Sequence, residues 1–139
     1  ALGVTMAALL AAKGIASEQV LINSGTTYDF AEVLAPRVLN HVMIYLPEFN
    51  LYDDTTTPRV TFGVLTIETY DKPVIVVSDR GVRTARTPTM QADDYVVLNR
   101  TKIRVASDGS MTGETEQVTK GAASMTARSI AGHIQDDGV

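Results

Sequence analysis

The stretch LNHVMIYLPEFNLYDD, Leu39–Asp54, reads as two strands with a break between them. Leu39–Leu46 is rich in β-branched and aromatic residues, Pro47-Glu48 interrupts it, and Phe49–Asp53 reads as a returning strand. In a strand, residues of equal parity share a face, so Leu39, His41, Met43 and Tyr45 point together, as do Phe49, Leu51 and Asp53. An odd-numbered connection at Pro47–Phe49 brings the two sets onto one face. Asp53 then lies opposite Met43 and diagonal to His41, about 7–8 Å away between backbones and within side-chain reach. An even-numbered connection separates them.

A carboxylate on one imidazole nitrogen fixes the tautomer and stabilises the imidazolium, leaving the other nitrogen as a base. By spacing alone, His41 and Asp53 equally describe a half-buried strand histidine and a turn-starting aspartate before a Thr-rich loop. A catalytic His–Asp pair also needs a nucleophile, and the 139-residue chain has no cysteine.

Working outward, Leu2, Met6, Leu9 and Leu10 recur at helical spacing and predict an amphipathic first helix. Lys13-Gly14-Ile15 supplies its stop: a cation, a glycine for the left-handed cap and an apolar residue beyond. No capping residue marks its start. Gln19–Asn23 reads as a short buried strand, and Tyr28–Arg37 as a loop with a turn of helix. Val60–Ile67 and Val74–Val77 are further strand candidates. Ser78–Asp94, with Arg80, Arg83 and Arg86 among Thr, Pro and Gly, reads as a linker or exposed crossing. Tyr95–Val105 is a long strand, and Asp108-Gly109 signals a hairpin. A three-residue loop there sets Arg104 opposite Glu114 and Lys102 opposite Glu116; a two-residue loop does not. Ala123, Ala127, Ile130, Ala131 and Ile134 form the stripe of a final helix. The expected fold is α+β, an N-terminal helix on an antiparallel sheet, followed from about residue 91 by a β-rich segment and a short helix.

With 45% apolar residues, the chain can bury a core. The net charge of −4 and the lack of a Lys/Arg run argue against a nucleic-acid partner. The Ala-rich run near Val4–Ala12 is too short to span a bilayer, and residues 1–15 lack the charged start and cleavage site of a signal peptide. Zero cysteines exclude disulfides and zinc–thiolate sites within these residues. His41 with Asp53 or Asp54 offers two metal ligands where zinc usually takes three or more from the protein. His133 lies off its helix stripe and reads as solvated, as do Asp29 and Glu32. The three arginines read as exposed loop, with an acidic partner as the alternative. Ser24-Gly25 lacks the flanking glycine of a nucleophile elbow, and no phosphate-cradling Gly loop is present.

Taken in order, Lys13-Gly14-Ile15, Val20–Asn23, Asn40-His41-Val42 and Tyr52-Asp53-Asp54-Thr55 resemble the motifs of the transglutaminase-like superfamily, in particular its bacterial envelope branch. The resemblance covers residues 1–90, as the C-terminal part of such a core, with 91–139 as the start of a β-rich accessory region. It implies a Cys-His-Asp site for thiol acyl transfer or amide hydrolysis. His41 would be the base, Asp53 its orienting partner, a protein or peptide the substrate, and no cofactor is called for. It also implies an envelope or periplasmic setting. The family's cysteine would fall one or two residues before Ala1, where a helix N-terminus lowers a thiol pKa. The expectation is a fragment that starts just past its nucleophile, inactive alone and inclined to self-associate. The alternative is a non-catalytic binding or scaffold module that retains the fold.

Overall fold

The computed structural model describes residues 2–25, 28–30, 38–57 and 60–138. The chain divides into two compact units, Ala1–Met90 and Gln91–Val139. The first carries α1 (Leu2–Ala12), β1 (Glu18–Ile22), β2 (His41–Leu46), β3 (Leu51–Asp53), β4 (Pro73–Ser78) and β5 (Gly81–Arg86). The second carries β6 (Tyr95–Val105), β7 (Met111–Gly121) and α2 (Ser124–Asp137). The fold is α+β. Among the described residues, no helix is long and apolar enough to cross a membrane.

In the first unit, five strands form an antiparallel sheet in the order β3-β2-β1-β4-β5. Directly paired residues share a face. Val20 pairs with Met43 and Val76, and these join Ile22, Tyr52, Leu65 and Val74 in the core on one face. Ile44 and Leu46, also buried, point to the other face. The C-terminal end of α1 follows from its sequence. Gly14 takes φ +73°, Ile15 N–H donates to Leu10 O, and Gly14 N–H donates to Ala11 O, both at 2.9 Å. This is a Schellman closure.

Only Met6 and Leu10 of the stripe expected on α1 pack. Leu2 and Leu9 are exposed, and Gly3, Met6, Ala7 and Leu10 are the half-covered residues. Apolar residues are spread around this helix, so periodicity could not single out a face.

The connection from β2 to β3 decides the site. Pro47–Phe49 forms one turn of 3-10 helix, and Asn50 closes it with φ 48° and its N–H on Pro47 O. Asn is one of the few side chains at ease in that left-handed region. The loop therefore has four residues, Pro47–Asn50, and the register sets Asp53 opposite Ile44 rather than Met43. A shift of one residue moves every side chain of the strand to the other face.

Two other expectations change. Val60–Ile67 is not a strand. Thr61–Val64 makes a turn through Gly63 at φ +76°, while Leu65 plugs the core at 2% exposure. The Ser78–Asp94 "linker" contains β5, an edge strand whose outward Thr and Arg residues look like loop because little of it is covered. Arg83 pairs with Glu18 at 2.6 Å and stacks over Tyr45, while Arg86 pairs with Asp71 at 2.6 Å. Of Tyr28–Arg37, residues 28–30 are neither helix nor strand; 31–37, with Glu32, lie outside the described residues.

In the second unit, β6 and β7 form a two-stranded ladder closed by the loop at Ser107–Gly109, with Ala106 N–H donating to Ser110 O. The register differs by two residues from the expected one: Lys102 faces Glu114 and Arg100 faces Glu116, and Arg104 meets Thr112. Parity is kept, so the charges still share a face. The stripe expected on α2 is largely uncovered within its unit, with Ile130 and Ile134 half exposed and Ala123 buried. His133 is exposed.

Candidate functional site

His41 opens β2 and pairs with Ile22, the last residue of β1. Its backbone position is fixed from both sides. Asn40 N–H donates to Ile22 O at 3.1 Å, and Asn40 Oδ1 accepts Ser24 N–H at 3.0 Å. Asn23 Nδ2 donates to Val38 O at 2.7 Å, tying the strand ends together. The ring lies on the Met43 face, with its side chain 20% exposed.

The carboxylate that meets this ring is Asp54. His41 Nε2 lies 2.7 Å from Asp54 Oδ2, and the Asp54 side chain is only 5% exposed. The other oxygen, Oδ1, accepts the Thr56 N–H at 2.9 Å and the Thr56 hydroxyl at 2.7 Å. Aspartate commonly closes such a turn on the residue two positions ahead. With Nε2 committed to a carboxylate, Nδ1 is the nitrogen left for proton transfer.

Asp53, the residue expected to partner His41, does not meet it. The four-residue loop turns it to the opposite face, where its Oδ1 accepts the Gly63 N–H at 2.8 Å. Burial pushes the Asp53 carboxyl above its ordinary value; the Gly63 hydrogen bond opposes this, and the neighbouring Asp54 charge adds to it. The two adjacent aspartates are thus divided by strand parity, Asp54 toward the histidine and Asp53 into the loop that crosses Leu51. The sequence motifs point to neither Asp54 as the partner nor Thr56 beside it. Two signals were available: the tolerance of Asn50 for the left-handed region, and the Asp-x-Thr spacing of an aspartate-closed turn.

The first turn of α1 lies against Val42, whose side chain is on the sheet face opposite the ring, and beside Thr55. A β-carbon placed on Gly3 would lie 4.0 Å from both Val42 Cγ1 and Thr55 Oγ1. Thr55 Oγ1 is buried with no hydrogen-bond partner among the described residues.

A groove of about 590 Å³ opens elsewhere, lined by Ala7, Ser17, Glu18, Pro47, Asp79 and Arg80 among others. It sits at the Glu18–Tyr45 end of β1 and β2, away from the Ile22–His41 end, and shares no lining residue with the histidine site. Among the described residues, no group of three His, Asp or Glu could hold a metal ion.

In comparisons with protein-family models, curated proteins and solved structures, none matches the chain. Function therefore rests on the site's own chemistry.

Proposed function

We propose that the Ala1–Met90 unit is the C-terminal part of a transglutaminase-like core, and that His41 and Asp54 are the base and orienting carboxylate of a thiol acyl-transfer site. The observation that carries this reading is the 2.7 Å contact between His41 Nε2 and a nearly buried carboxylate whose other oxygen is already satisfied. The role that motif resemblance gives to Asp53 passes to Asp54.

The chemistry follows from the free nitrogen. A cysteine at the head of α1 would give its proton to His41 Nδ1, and the thiolate would attack a glutamine carboxamide or peptide carbonyl. The tetrahedral adduct collapses to a thioester as the leaving amine takes the proton back from His41. An incoming amine or water then gives its proton to His41 and attacks the thioester carbonyl, and the cysteine sulfur leaves as its thiolate and takes the proton back from His41. Through both steps, Asp54 holds the ring in one tautomer and stabilises its charged form. The helix N-terminus favours the thiolate.

The test uses a form of the protein that carries the residues encoded ahead of Ala1. A cysteine within two positions of Ala1, alkylated by iodoacetamide with loss of amine incorporation into a glutamine peptide, is the expected result. Its activity should also be lost in His41→Ala. Another residue at that position, or activity indifferent to His41, overturns the reading.

A non-catalytic binding module is the second reading, and α1 favours it. This helix is apolar all round, has no buried residue, and exposes Leu2, Val4 and Leu9. Such helices ordinarily lie against other apolar surface.

A further inference from the structure

We infer that Thr56 is a positioning residue that holds His41 in the Nε2–H tautomer. The inference deepens the acyl-transfer reading and takes from it the assignment of Nδ1 as the working nitrogen. Its basis is the arrangement of three polar groups around one ring nitrogen.

Asp54 has two oxygens, and Thr56 occupies one of them twice, through its backbone N–H at 2.9 Å and its hydroxyl at 2.7 Å. That leaves Oδ2 to face His41 Nε2 at 2.7 Å. The Thr56 hydroxyl also lies 3.5 Å from the same Nε2. A hydroxyl carries a single hydrogen. At 2.7 Å from a carboxylate, against 3.5 Å from the ring, that hydrogen goes to Asp54 Oδ1. The lone pairs of Thr56 Oγ1 are then what the ring meets. Nε2 therefore faces two acceptors, the Asp54 carboxylate and the Thr56 oxygen. A protonated Nε2 satisfies both. An unprotonated Nε2 would set its lone pair against both, at a site where the carboxylate is almost fully buried. Thr56 acts twice in the same direction, by committing Oδ1 and by adding an acceptor beside Nε2.

The methyl group of Thr56 plays no part in this, which makes the conservative variant informative. Thr56→Ser keeps the hydroxyl. Thr56→Val keeps the shape and removes it. Thr56→Ala removes it without any risk of overpacking.

The experiment is a long-range ¹H–¹⁵N correlation of the imidazole rings in this chain at about pH 8.5, where an ordinary imidazole is neutral. The chain has two histidines, so His133→Gln identifies the His41 signals. The two ring nitrogens of His41 should separate into a protonated Nε2 and an unprotonated Nδ1. Thr56→Ser should preserve that separation. Thr56→Val and Thr56→Ala should reduce the tautomer preference by about three- to tenfold, the weight of one hydrogen bond, seen as ¹⁵N shifts moving toward each other. Thermal melts show which variants fold, and if valine does not, alanine gives the same readout. Unchanged ring shifts in the folded hydroxyl-free variants, or loss of the separation in Thr56→Ser, would overturn the assignment. The readout needs no nucleophile, so a missing cysteine sinks the acyl-transfer reading and leaves this result standing, and the converse holds.

Discussion

His41 Nε2 meets Asp54 Oδ2 at 2.7 Å, while the adjacent Asp53 turns away to the Gly63 N–H. The relationship is set nine residues from the histidine by one backbone conformation. Asn50, at φ 48°, lengthens the β2–β3 loop to four residues and fixes which aspartate shares a face with the ring. Which carboxylate meets the ring follows from loop length, through the two-residue period of a strand.

The two aspartates therefore make different predictions. In a form of the protein carrying a nucleophilic cysteine, Asp54→Asn should lower kcat by roughly 10³–10⁴-fold, because an amide can present the wrong group to Nε2 and favour the wrong tautomer. Asp53→Asn should stay within a few-fold of the parent. Amine incorporation measured for both variants checks the assignment, and equal losses would return the role to Asp53.

Asn50 itself can be tested by stability. Asn50→Gly should be tolerated, whereas Asn50→Val should cost about 1–2 kcal/mol, since a β-branched residue resists the left-handed region. The Tyr45 hydroxyl, which donates to Asn50 Oδ1 at 2.9 Å, loses its acceptor in both variants, so the difference between them isolates the backbone. Urea unfolding of the two variants measures it.

Burial raises the Asp53 carboxyl in the folded chain above its ordinary value of 3.8. The folded state thus binds this proton more tightly than the unfolded state. Its stabilising contribution is full below about pH 3.8, and is lost as pH rises through the raised value. Asp53→Asn removes the buried charge while its amide oxygen still accepts the Gly63 N–H. The variant should gain stability relative to the parent as pH climbs from about 3 toward 7. Paired denaturation midpoints across that range check the sign; a relative loss at neutral pH would contradict it.

Core and surface should separate sharply in the first unit. Ile22 is fully buried among Val20, Met43, Val74 and Val76, and Ile22→Ala should cost roughly 2–5 kcal/mol. Leu9 on α1 is 62% exposed, and Leu9→Gln in the monomeric chain should stay within about 0.5 kcal/mol. Chemical denaturation of each variant provides the comparison.

What could be read from the sequence was whatever local chemistry alone decides. Gly14 after Lys13 ends α1 because the cap needs only a left-handed glycine and an apolar follower, all within six residues. The long strand Tyr95–Val105 was legible from its alternation, and His41 was legible as a strand histidine. The partner of His41 was not, because strand parity depends on a count of loop residues, and Asn50 can be read as loop or strand. Gly63 hid the turn inside Val60–Ile67, since the apolar residues around it serve the core singly rather than in alternation. The edge strand β5 was hidden by exposure: its pairing with β4 is backbone chemistry that Thr and Arg side chains do not announce.

The base of the second-unit hairpin gives the last prediction. Gly121 pairs with Tyr95 at φ +59°, and a β-carbon there would lie 2.0 Å from Asp94 O and 2.5 Å from Asp94 C. Those are backbone atoms that cannot swing aside, and Asp94 O already accepts the Ala122 N–H at 2.8 Å. Gly109, at the hairpin tip, also has positive φ, +84°, but nothing lies within 4 Å of its added carbon. Gly109→Ala therefore carries only the left-handed cost of about 1–2 kcal/mol. Gly121→Ala carries that cost plus displacement of Asp94, and a two-stranded ladder has little stability to lose. Amide hydrogen exchange at Ala122, whose N–H is bonded to Asp94 O, should accelerate far more in Gly121→Ala than in Gly109→Ala. Equal acceleration would mean that the close approach at Asp94 relaxes without opening the ladder.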